Sequence, residues 1–104
     1  MAKSLWEILI PANKNDGTEF TMKHHQEWDK KARSISGGLT ILKTGKGEWT
    51  NPEGKTFRDR MIPVRVYCTE RQINELIQYT IKHYDQEAVM AYEISKNVKI
   101  VHRE

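Results

Sequence analysis

The tetrapeptide Thr69-Glu70-Arg71-Gln72 marks the point at which this chain changes its repeat. Before it, the run from Arg58 to Cys68 alternates. Ile62, Val64, Val66 and Cys68 fall on one side, and Arg65 and Tyr67 fall on the other, which predicts a strand. After it, Ile73, Leu76, Ile77, Thr80, Ile81 and Tyr84 recur at spacings of three and four, which predicts an amphipathic helix. The tetrapeptide itself reads as a capping box. The Thr69 hydroxyl can accept from the Gln72 amide, and the Gln72 side chain can reach back to the Thr69 backbone.

The same change of period occurs earlier in the chain. Leu5 to Pro11 alternates, with Trp6, Ile8 and Ile10 on one face and Leu5, Glu7 and Leu9 on the other. Turn chemistry follows at Asn13, Asn15, Asp16 and Gly17. From Thr21, Met22, His25, Trp28, Ala32 and Ile35 take up helical spacing until Gly37-Gly38 stops the helix. Leu39 to Lys43 is a second strand, and the polar, glycine-rich stretch after it reads as a long loop over 44–57. Pro63 has no donor for a ladder and belongs near an edge or a bulge. Ala88 to Ile94 is the last strand. Val98 to His102 either extends it beyond Ser95-Lys96-Asn97 or adds a short edge strand.

The order strand, helix, strand, loop, strand, helix, strand predicts one α+β domain spanning 1–104. Right-handed crossovers fold it into a split β-α-β-β-α-β sandwich with both helices on one face of the sheet. The other face then carries Leu5, Glu7, Leu9, Arg65 and Tyr67, and the first and third strands become neighbours, so Glu7 and Arg65 can pair. An apolar rim around a charge pair reads as an oligomer contact. A hydrophobic content of 38% agrees with a thin core supplemented by a subunit contact. The net charge of +3 is too mild to argue for nucleic acid. No apolar run approaches a membrane span, and the chain is expected in the cytoplasm.

The candidate ligand contacts lie around the polar stretch. Thr44, Gly45, Lys46 and Gly47 can offer successive amides and one cation to an anion, although no Walker loop is present. Arg58, Arg60 and Arg65 read as sharing a strand face that suits a phosphate. Trp49 and Phe57 flank the loop and suit stacking on a base or a partner. His24 and His25 are adjacent and point about 100° apart on a helix. His25 reads as a core histidine, and His83 and His102 have no partner at ligand spacing, so no metal site is assigned. Cys68, the single cysteine, reads as buried and inert. Glu7, Glu48 and Tyr67 have acid–base chemistry, but no spacing makes them a catalytic set, and no cofactor is named.

Gly37-Gly38-Leu-Thr-Ile-Leu-Lys-Thr-Gly-Lys-Gly47 resembles the glycine-rich entry to the long loop of PII-type signalling proteins. Val64-Arg-Val-Tyr-Cys68, the helix after it and Tyr84-Asp-Gln-Glu-Ala-Val-Met-Ala-Tyr92 resemble phage S-adenosylmethionine lyases, which are PII-like in fold. The resemblance implies a ferredoxin-like sandwich that assembles as a homotrimer with bare sheet faces inward. It also implies a ligand site between subunits for an adenine nucleotide or related anion, here touching Gly37, Gly38, the Thr44–Gly47 segment and the three arginines. Ordering of the 44–57 loop would then present Trp49 to a protein partner. The alternatives are an S-adenosylmethionine-degrading lyase or a non-enzymatic phage or bacterial accessory protein. The chain departs from the lyases at Arg58-Asp59-Arg60-Met61, where they carry a glutamate. It departs from PII proteins by lacking the modifiable loop tyrosine and the basic nucleotide clamp at the chain end.

Overall fold

The computed structural model describes residues 2–104. Seven elements follow one another: β1 (Lys3–Pro11), α1 (Met22–Ser36), β2 (Thr40–Ile41), β3 (Gly45–Thr50), β4 (Thr56–Thr69), α2 (Glu70–His83) and β5 (Ala91–Ser95). The antiparallel sheet has the order β2-β4-β1-β5, and β3 also pairs with β4. Both helices cover one face. Ile8, Ile10, Val64, Val66 and Cys68 point from the strands into a core with Trp28, Ala32, Ile73, Leu76 and Tyr84. This is the alternation expected from the sequence, and each large apolar side chain so buried contributes roughly 1.5–3 kcal/mol.

The helix boundaries follow local chemistry. The Thr21 hydroxyl accepts from the His24 amide at 3.2 Å and opens α1. Gly37 closes it at φ 85°, a left-handed conformation that glycine adopts without a Cβ clash. The Thr69–Gln72 capping box is present in both directions, and Gln72 Nε2 also donates to the Ile35 carbonyl at 2.9 Å. That bond ties the start of α2 to the end of α1. Past α2, Asp85 takes the left-handed position at φ 51°, with its carbonyl held by Asn15 Nδ2 at 3.1 Å.

The 44–57 stretch is not a long loop. Gly45–Thr50 and Thr56–Met61 pair residue for residue, leaving a tip at 51–55. The Asn51 side chain accepts from the amides of Glu53 and Lys55 and shapes that tip. Cross-strand pairs close the ribbon. Trp49 stacks on Phe57 at 4.6 Å, Glu48 meets Arg58 at 3.1 Å and Thr50 meets Thr56 at 3.0 Å. Reading the glycines as chain breakers missed these pairs, which exist only once the two segments face each other. Nor does Val98–His102 form a strand.

Pro63 sits where its chemistry requires. It lies opposite Leu9 on the β1 side, and its carbonyl accepts from Leu42 on the other side at 2.9 Å. Its missing donor therefore faces the interval between β2 and β3, where the ladder is broken. β4 thus belongs to the sheet at one end and to the projecting ribbon at the other, in a molecule measuring 52 × 31 × 23 Å. Among the described residues, no helix is long and apolar enough to cross a membrane.

Candidate functional site

A groove of about 440 Å³ opens on the helical side, where the first turns of α1 meet the sheet at the root of the ribbon. Ile10, Ile62 and Val64 form its floor, and half-buried Phe20 adds aromatic surface above the buried rings of Trp28 and Tyr84. Its polar groups are His25, Asp29, Glu19, Thr44 and Arg60. Arg60 lies directly opposite Lys46 in the β3–β4 register, which sets a second cation on the neighbouring strand beside the one that lines the groove. An apolar floor with few polar groups around it is the usual make-up of a small-molecule site.

His25 Nδ1 and the Tyr84 hydroxyl are 2.7 Å apart. Burial above all lowers the pKa of His25, against the pull of Asp29. Burial likewise raises Tyr84 well beyond the ordinary range and raises Asp29, where Arg33 and His25 oppose it. Tyr84 therefore keeps its proton and acts as a donor, and His25 is the softer base of the pair. The sequence reading of His25 as a satisfied core histidine holds for the partner and not for the core: the side chain is half-buried and lines the groove. The convergence of Glu19, Asp29 and Tyr84 on one groove had no signal in spacing, because they come from a loop, α1 and the cap of α2.

The residues proposed from sequence as ligand contacts do not form one set. Thr44 and Arg60 line the groove. Gly45, Lys46 and Gly47 lie in an extended strand, so their amides do not converge as a cradle. Gly37 and Gly38 follow the far end of a helix about 20 Å long. Arg58, Arg60 and Arg65 do not share a face, since 58 and 60 are even positions of β4 and 65 is odd. Arg58 pairs with Glu48 on the ribbon, and Arg65 lies on the opposite side of the sheet.

That opposite side carries the Glu7–Arg65 pair expected from the sequence. Glu7 is buried, Arg65 Nε donates to its Oε1 at 3.0 Å, and the Tyr92 hydroxyl donates to its Oε2. Leu5, Leu9 and Tyr67 are half-buried around it. Tyr92 was not anticipated. It arrives because β5 places it opposite Glu7 on the free side of β1. Alternation along β4 sets Trp49 and Phe57 on the extension of this same face. With the Glu7 charge paired to Arg65 and its second oxygen held by the Tyr92 hydroxyl, the face is suited to being covered.

Cys68 is buried, and its thiol is pushed up to about 11 by that burial. His24 and His83 stack on each other at 3.8 Å, a meeting of two helices that sequence spacing could not register.

No protein-family model and no curated protein sequence matches the chain. Solved structures do. A phage S-adenosylmethionine lyase in complex with S-methyl-5'-thioadenosine superposes with a TM-score of 0.70 at 13% identity, over 91% of this chain and 82% of that one. The divalent cation tolerance protein CutA1 from Thermus thermophilus gives 0.64 at 10% identity, over 98% of this chain and 87% of that one. CutA1 from Oryza sativa gives 0.65 at 12% identity, over 96% of this chain and 83% of that one. This chain has their α+β, ferredoxin-like fold. At such identities the likeness concerns the fold alone.

Proposed function

We propose that this chain is a small regulatory protein of PII-like type that self-assembles, as a homotrimer, and binds an adenine nucleotide or related anion. The groove carries the proposal. Its volume and apolar floor, with the Phe20 ring at the side, suit a nucleobase, and Arg60, with Lys46 opposite it on β3, suits a phosphate. The Glu7–Arg65–Tyr92 face, with Leu5, Leu9 and Tyr67 around it, is the surface that copies bury against one another. The projecting ribbon presents Trp49, just below its tip, to a protein partner.

Titration calorimetry with ATP, ADP, AMP and S-adenosylmethionine tests this reading, together with sedimentation at micromolar concentration. Arg60→Ala is expected to weaken a nucleotide by at least about tenfold, the cost of one charge-assisted bond of roughly 1.5–3 kcal/mol. Heat from none of the four, or a lone subunit in the centrifuge, would refute it.

A second reading is an S-adenosylmethionine-degrading lyase. It is favoured by the similar phage enzyme with S-methyl-5'-thioadenosine bound, and by Glu19 and Asp29 in the groove, whose carboxylates suit a sulfonium. Release of S-methyl-5'-thioadenosine, followed by mass spectrometry, decides it.

A further inference from the structure

His24 stands in the first turn of α1 and His83 in the last turn of α2. Their rings stack at 3.8 Å with 17° between planes. Each Nε2 faces the other residue's backbone carbonyl, His24 Nε2 at 2.6 Å from the His83 oxygen and His83 Nε2 at 2.8 Å from the His24 oxygen. A carbonyl oxygen can only accept, so both Nε2 atoms carry the hydrogen. In a neutral imidazole this leaves each Nδ1 as a lone pair. Metal-bound histidines share this arrangement: one ring N–H held by an acceptor fixes the tautomer, and the other nitrogen is free to ligate.

Glu27 lies three residues after His24 on the same face of α1, with its side chain exposed. One donor atom from each of His24, Glu27 and His83 lies within 4.8 Å of the other two. We infer that these three residues form a binding site for a divalent transition cation of the Zn²⁺ class. Two imidazoles and one carboxylate are a common donor set for such an ion, with a fourth position left to water.

The distances state what binding requires. In a tetrahedral set with bonds of 2.0–2.1 Å, neighbouring donors are about 3.3 Å apart, so the three must close by no more than about 1.5 Å. The glutamate can supply much of that by swinging inward. The imidazoles must also tilt, because lone pairs in nearly parallel planes cannot both point at one ion. The Tyr79 hydroxyl, 3.4 Å from His83 Nδ1, makes only a long contact that an ion can displace. Phe20 stacks on the far side of His24 at 5.0 Å and limits which way that ring can turn. Neither histidine nor Glu27 lines the groove, so this site stands apart from the proposed nucleotide site.

The test is calorimetric titration of the metal-free full chain with Zn²⁺ alone, with Co²⁺ absorption as a second readout of four-coordinate geometry. The wild-type chain is expected to bind one ion per subunit with a Kd in the micromolar range or below. His83→Gln is expected to weaken binding by about a hundredfold or more and Glu27→Gln by at least about tenfold, while His102→Gln leaves it unchanged. Because His24 and His83 also join the two helices, a histidine variant can fail to fold. Glu27→Gln, an exposed change outside the core, then carries the test, with circular dichroism showing an intact fold. Absence of Zn²⁺ binding in the wild type, equal affinity in folded Glu27→Gln, or loss of binding with His102→Gln would each overturn the site.

Discussion

Thr80→Val should cost this protein more than any surface change, because it breaks a bond with no substitute nearby. Thr80 is 0% exposed and Trp28 is 1% exposed. The Trp28 indole donates to the Thr80 hydroxyl at 2.8 Å, and that hydroxyl donates onward to the Leu76 carbonyl at 2.6 Å. Valine keeps the shape and removes the oxygen, so the indole N–H is left in the core without an acceptor. Stranding a buried donor costs about 1–3 kcal/mol, and the extra buried methyl offsets at most roughly 1 kcal/mol. A net loss of about 1–2 kcal/mol corresponds to a fall in Tm of several degrees, up to roughly 15 °C.

Urea unfolding followed by circular dichroism measures the loss, with the slope unchanged if only stability moves. The decisive comparison is the same substitution in a Trp28→Phe background, which has no N–H to strand. There Thr80→Val should be nearly neutral, giving a coupling of at least about 1 kcal/mol between the two sites. If the cost is equal in both backgrounds, the hydroxyl bridge is not what secures Trp28.

Two further outcomes follow from the titratable groups. The unfolded chain protonates His25 near 6.5, whereas burial makes the folded chain resist the proton to lower pH. The unfolded state therefore binds more protons, and stability should fall as pH drops below 6.5. Asp29 acts with the opposite sign from 3.8 upward, so the His25 part is isolated by His25→Gln, which should flatten the fall in stability between about pH 7 and 5.5. At a pKa of about 11, Cys68 is thiolate in only about one molecule per thousand at pH 8, so a thiol reagent should label it at the rate of unfolding. Labelling of the native protein within minutes would contradict its burial.

Period and punctuation carried most of the fold. The Thr69–Gln72 box and the Gly37 stop depend on neighbours within a few residues, and the structure places them as read. The even–odd division of β1 and β4 likewise separates core from bare face on backbone geometry alone, and with the strand order it brings Glu7 to Arg65. The same parity rule separates Arg60 from Arg65, so the error there lay in grouping them and not in missing information.

What composition and periodicity determined is therefore one α+β sandwich with a helix-covered face and an apolar bare one. The tertiary structure decided which groups meet across the chain. The ribbon exists because Gly45–Thr50 finds Thr56–Met61, and the groove exists because a loop, α1, the cap of α2 and three strands converge at its root. His24 and His83 are 59 residues apart and touch only after both helices have settled on the sheet. Local interactions are written in adjacent residues and can be read there. A site assembled from distant residues depends on packing, and no local pattern records it.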